Sequence, residues 1–226
     1  FQRFARDAIA DIRRRNAIPV LVGGTGLYLR AVIDDLDIPG RYPEVLAGLE
    51  AETDTAALHR RLVELDPVAA GRIEPGNRRR VLRALEVTLG GGRPFSSYGA
   101  GLGTYPPTPF VQVALRRPRA DIDARIAQRY RRQMEEGFLD EVRALSQTPL
   151  SRTARQALGY RELLAHVAGE CSLDDALERA VRRTCRFARR QERWFRRDPR
   201  IRWLDAPADV GDVLAVWDEV RAIPAG

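Results

Sequence analysis

The sequence predicts an α/β chain: a parallel sheet covered by helices, with a small all-helical unit set into it. Three observations lead there. The short apolar runs Pro19-Val20-Leu21-Val22, Phe110 to Leu115 and Ile201 to Leu204 have the length of buried strands. The first runs through Gly23-Gly24-Thr25-Gly26 into a helical pattern, the strand, glycine turn and helix layout of a doubly wound sheet, where ligands sit at the carboxyl ends of strands. Between the first two runs, residues 43 to 90 carry only helical patterns and turn signals.

In order, Phe1 to Asn16 reads as a helix, with Phe1, Phe4, Ala8, Ile9 and Ile12 on one face and Arg13, Arg14 and Arg15 in its last turn. After the first strand and the glycine turn, Leu27 to Ile33 continues as a helix. Alone, such a turn is a weak signal, and a tight bend accounts for it equally well. Asp34, Asp35 and Asp37 follow; three carboxylates near a phosphate site could hold a metal ion, although solvating a loop is the plainer reading. Short helices are predicted at 43–51, 55–65, 67–73 and 77–89, with a boundary at Asp66-Pro67 and a stop at Gly90-Gly91-Gly92-Arg93-Pro94. Arg78, Arg79, Arg80 and Arg83 place cations at a helix start, against the helix dipole, which suits an anionic partner better than it suits stability. A Gly/Pro/Thr linker, Gly99 to Pro109, leads to the second strand. Ala120 to Glu136 is a helix with Arg125 and Arg129 four apart on one face. Gly137 breaks it before Phe138 to Ser146, and Arg155 to Ala168 holds Gly159-Tyr160-Arg161. Val210 to Ala222 closes the chain as a helix.

The strongest feature is Ser172 to Arg197, one long helix ended by Pro199. Within it, Arg179 to Arg197 holds nine Arg against one acid, Glu192, a local charge of +8 in a chain whose formal net charge is +7. Leu173, Leu177, Ala180, Val181, Thr184, Ala188, Gln191 and Phe195 make one mostly apolar face, and the arginines fall on the other. Nine like charges repel unless something anionic lies opposite, and a polyphosphate backbone is the natural partner. A solvated face paired with acids from elsewhere is the competing reading. Trp194, Phe195 and Trp203 could stack on bases, but aromatics at the end of an amphipathic helix more often fill a core.

Composition narrows the classes. An apolar share of 44% supports an ordinary globular core, and no apolar run is long enough to cross a membrane. The opening residues do not read as a signal peptide, so none is expected in them. Cys171 and Cys185, roughly 20 Å apart along a helix, cannot bridge, and with two distant His they form no metal-ligand cluster, so a reducing, cytoplasmic setting is expected. All 38 basic residues are Arg, which excludes a G-x-x-x-x-G-K-[ST] loop and lysine Schiff-base chemistry. The only Met is Met134 and the chain opens at Phe1 inside a helical pattern, which predicts a piece lacking its natural start.

These residues resemble the tRNA dimethylallyltransferases (tRNA isopentenyltransferases) over essentially the whole chain. Pro19 to Leu29 is similar to the family's P-[IV]-L-V-G-G-T-G-L-Y. Asp66-Pro67-Val68-Ala69-Ala70 and Arg79 to Val87 resemble D-P-x-x-A and [RQ]-R-x-x-R-A-L-E-V, and Arg125 to Arg129 resembles R-I-x-x-R. Gly137 to Val142, Gln156 to Glu162, and Arg189-Arg190-Gln191 with Trp194-Phe195-Arg196 match further segments. Singly these are weak; in order and at family spacing they are specific.

The resemblance implies a P-loop NTPase-like core, with residues 1–40 and 108–226 as an α/β transferase core and 41–107 as an inserted helical domain plus linker. It implies transfer of the dimethylallyl group of dimethylallyl diphosphate to N6 of the adenosine just 3′ of the tRNA anticodon, with Mg²⁺ assisting and the base flipped into a channel. Arg129 then matches the catalytic Arg on the diphosphate, with Arg125 as its supporter. Thr25; Arg79, Arg80 and Arg83; Ala157, Leu158, Gly159, Tyr160 and Arg161; and Arg189, Arg190, Gln191, Arg193, Trp194 and Arg196 match tRNA-contacting positions, and Gly23 and Gly24 are candidate cofactor contacts. The tRNA anticodon stem-loop is the implied partner of a cytoplasmic monomer without a membrane role.

The chain departs from the pattern in three ways. The phosphate-binding loop and the catalytic Asp of the family fall before Phe1, which predicts that this chain alone is inactive. Leu46 stands where the family often has a tRNA-contacting Arg. Glu192 and Arg193 replace less charged residues. Three other classes compete. An adenylate isopentenyltransferase would lack the helical insert and the long Arg helix. A non-catalytic RNA-binding protein would leave the glycine turn and R-I-x-x-R idle, and a P-loop nucleotide kinase, kept open only by an expected missing N-terminus, would use ATP in place of dimethylallyl diphosphate.

Overall fold

A computed structural model describes residues 1–99 and 101–222. The chain divides into two compact units, Phe1–Phe110 and Val111–Gly226.

The regular elements described in the first unit are all helical. They are α1 (Gln2–Arg14), α2 (Gly26–Ile33), α3 (Pro43–Glu50), α4 (Thr55–Leu65), α5 (Pro67–Arg72), α6 (Arg78–Gly91) and a 3-10 turn at Phe95–Tyr98. α6 is the unit's spine. Val81, Leu82, Ala84 and Leu85 on α6 pack with Leu58 and Leu62 of α4, Leu49 of α3 and Ala69 and Ala70 of α5. Polar caps fix the joints between these short helices. Asp66, 1% exposed, accepts hydrogen bonds from the Ala69 amide at 2.9 Å and the Ser96 amide at 2.7 Å, so one carboxylate starts α5 and anchors the 3-10 turn. Burial pushes its pKa up, but those amide hydrogen bonds outweigh burial and hold it below the usual carboxylate range. Glu86 behaves likewise: burial is outweighed by the Tyr42 amide, at 2.7 Å, and by Arg83. Gly90 is required by space, because a Cβ there would stand 2.6 Å from Cβ of Tyr42.

One predicted strand is not formed. Residues 17 to 23 have no regular structure, and Val20 and Val22 are 77% and 90% exposed. A parallel strand exists only through hydrogen bonds to a neighbour, and none of the described residues pairs with this run. The three-aspartate loop also resolves differently from a metal site. Asp34 pairs with the buried Arg30, Asp35 with Arg6, and Asp37 with Arg93 at 2.5 Å. Three carboxylates neutralised by three different arginines do not converge on an ion.

The second unit is the α/β part: β1 (Gln112–Arg116), α7 (Arg119–Glu135), α8 (Phe138–Ser146), α9 (Arg152–Arg155), α10 (Tyr160–Val167), α11 (Leu173–Phe195), β2 (Ile201–Asp205) and α12 (Val210–Ala222). β1 and β2 pair in parallel, Gln112 beside Ile201 through Arg116 beside Asp205. Parallel strands need a long crossover, and here it is the whole α7–α11 block. Arg116 closes the pair with two hydrogen bonds to the Asp205 carboxylate, at 2.7 and 2.9 Å. Beneath the helices, Ile126 and Tyr130 of α7, Phe138 and Val142 of α8, Leu163 of α10, and Ala176, Ala180 and Cys185 of α11 form one core. The alanines let α11 lie close to its neighbours. No helix among the described residues is long and apolar enough to cross a membrane.

Candidate functional site

α7 leaves β1 after Pro118, so its first turns stand at the carboxyl end of that strand. Ile126 and Tyr130 are buried and hold the helix down. That rotation leaves Arg125 and Arg129, each one position earlier, exposed and side by side one turn apart. Neither has a carboxylate partner among the described residues; Arg129 only approaches the Tyr130 ring, at 5.9 Å. Two unpaired guanidinium groups on one face are suited to a diphosphate, whose oxygens they can take in forks.

Behind that face lies the polar tie between α7 and α11. The Tyr130 hydroxyl meets Thr184 Oγ1 at 3.0 Å, both buried, and burial pushes the Tyr130 hydroxyl pKa up, keeping it protonated. The turn before α10 is tied to α11 as well. Gly159 adopts φ +87°, and a Cβ there would press within 3.1 Å of Tyr130 and Phe138, so only glycine is relaxed at this position. Its amide donates to Glu162 Oε2 at 3.1 Å, and Arg183 donates to Glu162 Oε1 at 2.7 Å and to the Gln156 carbonyl at 3.3 Å. Glu162, 9% exposed, therefore fastens the Gln156–Arg161 turn to α11. Ala157 and Leu158 are half-buried beside it, and Arg161 points outward. The Tyr160 hydroxyl donates to Glu141 Oε1 at 2.6 Å, which pushes its pKa up.

α11 begins at a Ser172 cap, whose Oγ accepts from the Asp175 amide at 3.1 Å, and it carries acids in its first turn as the dipole prefers. Its arginines are not equivalent. Arg182 pairs with Glu178, Arg189 with Asp123 at 3.4 Å, and Arg196 with Glu192 at 2.6 Å. Arg183 is committed to Glu162. Arg179, Arg186, Arg190 and Arg193 have no carboxylate partner among the described residues, although Arg190 leans over the Phe187 ring at 5.6 Å. Part of the predicted positive row is thus neutralised within the unit. The acids that do this were legible only where they lie four residues away on the same helix; Asp123 arrives from α7. Gln191 and Trp194 are half-buried, Trp194 with Phe195 and Trp203 against the unit, and Arg193 is exposed.

The first unit holds the remaining candidates. Thr25 is exposed at the N-cap of α2, with no side-chain hydrogen bond across the cap. Gly23 has open space around it and an ordinary φ, so nothing in the fold demands glycine there. Arg79 and Arg80 are exposed at the start of α6. Arg83 is half-buried and pairs with Glu86 at 2.9 Å and with the Pro39 carbonyl at 2.8 Å, a structural use of its charge. Leu46 packs against the helical core, which accounts for an apolar residue at that position. Among the described residues no group of three or more His, Cys, Asp or Glu could hold a metal ion. Among those residues there is thus no all-protein cage for magnesium.

The IPP transferase family model matches residues 1–198. A tRNA dimethylallyltransferase of Thermobifida fusca is 50% identical over 220 residues, which are 95% of this chain and 67% of that protein. The full-length tRNA isopentenylpyrophosphate transferase of Bacillus halodurans superposes with a TM-score of 0.63 at 30% identity, covering 98% of this chain and 71% of that one. A eukaryotic dimethylallyltransferase captured acting on tRNA gives 0.71 at 28% identity, covering 99% and 59%. This chain thus spans about two thirds of the length of the curated relative it matches. With its family-model match over residues 1–198 and its half-identical relative, the chain belongs to the IPP transferase family.

Proposed function

We propose that this chain supplies the diphosphate-binding arginines and a tRNA-binding surface of a tRNA dimethylallyltransferase. The supporting observation is the unpaired Arg125–Arg129 face on the helix that follows β1, in a chain of this family. In the reaction, the N6 lone pair of the adenosine 3′ to the anticodon forms a bond to the allylic carbon of dimethylallyl diphosphate. The carbon–oxygen bond breaks, its electron pair stays on the departing diphosphate, and the N6 proton passes to a base. Charge grows on the diphosphate oxygens as the bond breaks, so Arg129, backed by Arg125, stabilises the transition state more than the ground state. No residue here is assigned the role of base, so the 226-residue chain alone is expected to bind tRNA without completing transfer; detectable prenyl transfer by it would overturn that part. Magnesium assistance, a nucleotide-binding core with Gly23 and Gly24 as contacts, monomeric state and a cytoplasmic setting belong to the same reading. So does the division into a core of 1–40 and 108–226 with an insert at 41–107.

The test is tRNA binding by the chain as a function of salt. The logarithm of the binding constant is expected to fall steeply with log salt, and Arg190→Ala with Arg193→Ala is expected to flatten that slope by about one unit per lost phosphate contact. In parallel, Arg129→Ala is expected to weaken binding of inorganic diphosphate at least about tenfold, the size of one charge-assisted contact. A chain that ignores tRNA at low salt sinks the reading.

A further inference from the structure

The arginines of α11 separate into registers seven residues apart. Arg182, Arg189 and Arg196 form one, and each is matched by an acid: Glu178, Asp123 and Glu192. Arg179, Arg186 and Arg193 form another, and none has a carboxylate partner among the described residues. Arg190, four residues after Arg186, widens that second line. Seven residues are close to two helical turns, so each register is a stripe along the helix, one electrically closed and one open.

The open stripe borders a concavity. A groove of about 470 Å³ is lined by Arg161 of α10 and by Arg179, Arg183, Arg186 and Arg190 of α11. Two glutamates share the lining. Glu162 is taken by Arg183 and the Gly159 amide, which leaves Glu170 as its only carboxylate not engaged by an arginine, among the described residues. With Arg183 matched by Glu162, the other four guanidinium groups around the groove raise each other's electrostatic energy until an anion enters.

We infer that this groove is a second stretch of the RNA track, in which Arg179 and Arg186, with Arg161 opposite, hold backbone phosphates beyond the segment that starts at Arg189. This rests on the tRNA-binding reading above. The shape favours a polyanion over a single small one: Arg179 to Arg193 runs about 21 Å along the helix at 1.5 Å per residue. A free diphosphate would be served by donors converging on one point. Arg182 stands outside the track, paired along its own helix, and Arg183, although it lines the groove, is spent on Glu162 and the Gln156–Arg161 turn.

The experiment measures tRNA affinity against salt for four forms of the chain: wild type, Arg179→Ala/Arg186→Ala, Arg179→Lys/Arg186→Lys, and Arg182→Ala. The Ala pair is expected to flatten the slope by about 1.4 to 1.8 units, two contacts at 0.7 to 0.9 each. The Lys pair is expected to keep the slope, because a point charge suffices for counterion release, and circular dichroism of both pairs checks that the helix is intact. Arg182→Ala is expected to match wild type. The inference falls if the Ala pair keeps the wild-type slope while Arg190→Ala/Arg193→Ala loses it; tRNA binding then stands and only the added stretch is wrong. It falls equally if Arg182→Ala flattens the slope as much per charge, since the effect would be net charge and not a track. If the Ala pair loses binding of inorganic diphosphate and leaves the tRNA slope unchanged, the groove serves a free anion and the RNA assignment is overturned. Absence of tRNA binding by wild type overturns both readings together.

Discussion

Single residues carry two kinds of work here, and the chemistry of the partner separates them. Asp66 shows the structural kind. The motif Asp66-Pro67-Val68-Ala69-Ala70 is a helix start, with the carboxylate spanning α5 and the turn at Ser96. Asp66→Ala leaves two amide donors without their acceptor in a buried place and is expected to cost about 2–4 kcal/mol of the first unit's stability, read by urea unfolding. Gly159→Ala is expected to cost about 1–3 kcal/mol, from a positive φ together with crowding against Tyr130 and Phe138. Arg83 illustrates what sequence reading misses. Its position matches a nucleic-acid contact by resemblance, yet its guanidinium is occupied by Glu86 and the Pro39 carbonyl. Nothing in the local sequence announces the Pro39 partner, 44 residues away.

Elements were legible where periodicity was long and bounded. Thr55–Leu65, Phe138–Ser146 and Val210–Ala222 fall where the apolar spacing and the turn residues put them. The long Arg helix is shorter than read by one residue at its start and two at its end, and Ser172, read as its first residue, is its N-cap. Ser172→Ala is expected to cost about 1 kcal/mol of the second unit's stability. The run at 19–22 was misread because strand formation is a property of a pair. Apolar composition makes a strand possible, and only a neighbouring edge makes it real. The face of α7 that carries Arg125 and Arg129 was legible from their spacing alone. The division of α11 into matched and unmatched registers was half legible: Glu192 and Glu178 are visible as i,i+4 partners, whereas Asp123 comes from 66 residues away.

For the molecule as a whole, acid sensitivity follows from the buried carboxylates. Asp66 and Glu86 have folded-state pKa values below their ordinary ones. Their contribution is present above the unfolded pKa, near 4, and is lost as pH falls through the depressed folded value. Stability of the first unit is expected to drop as pH falls below about 4, and Asp66→Asn with Glu86→Gln is expected to flatten that fall while lowering stability at neutral pH. Unfolding free energy at pH 7, 4 and 3 checks both parts; a double variant that keeps the full acid dependence would assign it to other carboxylates. Arg116 and Asp205 lead to a different property, the order of assembly. The strands they join are 89 residues apart in sequence, so closing that loop costs about 4 kcal/mol of chain entropy, whereas the helices between them meet partners nearer along the chain, 21 residues apart for Glu162 and Arg183 and 54 for Tyr130 and Thr184. The two-stranded sheet should therefore be the last part of its unit to gain protection from solvent when the chain refolds. Amides of Val113 to Leu115 and of Arg202 to Leu204 would then label in a hydrogen-exchange pulse after those of α7, α10 and α11 have closed, making the sheet a lock set on a finished helical block.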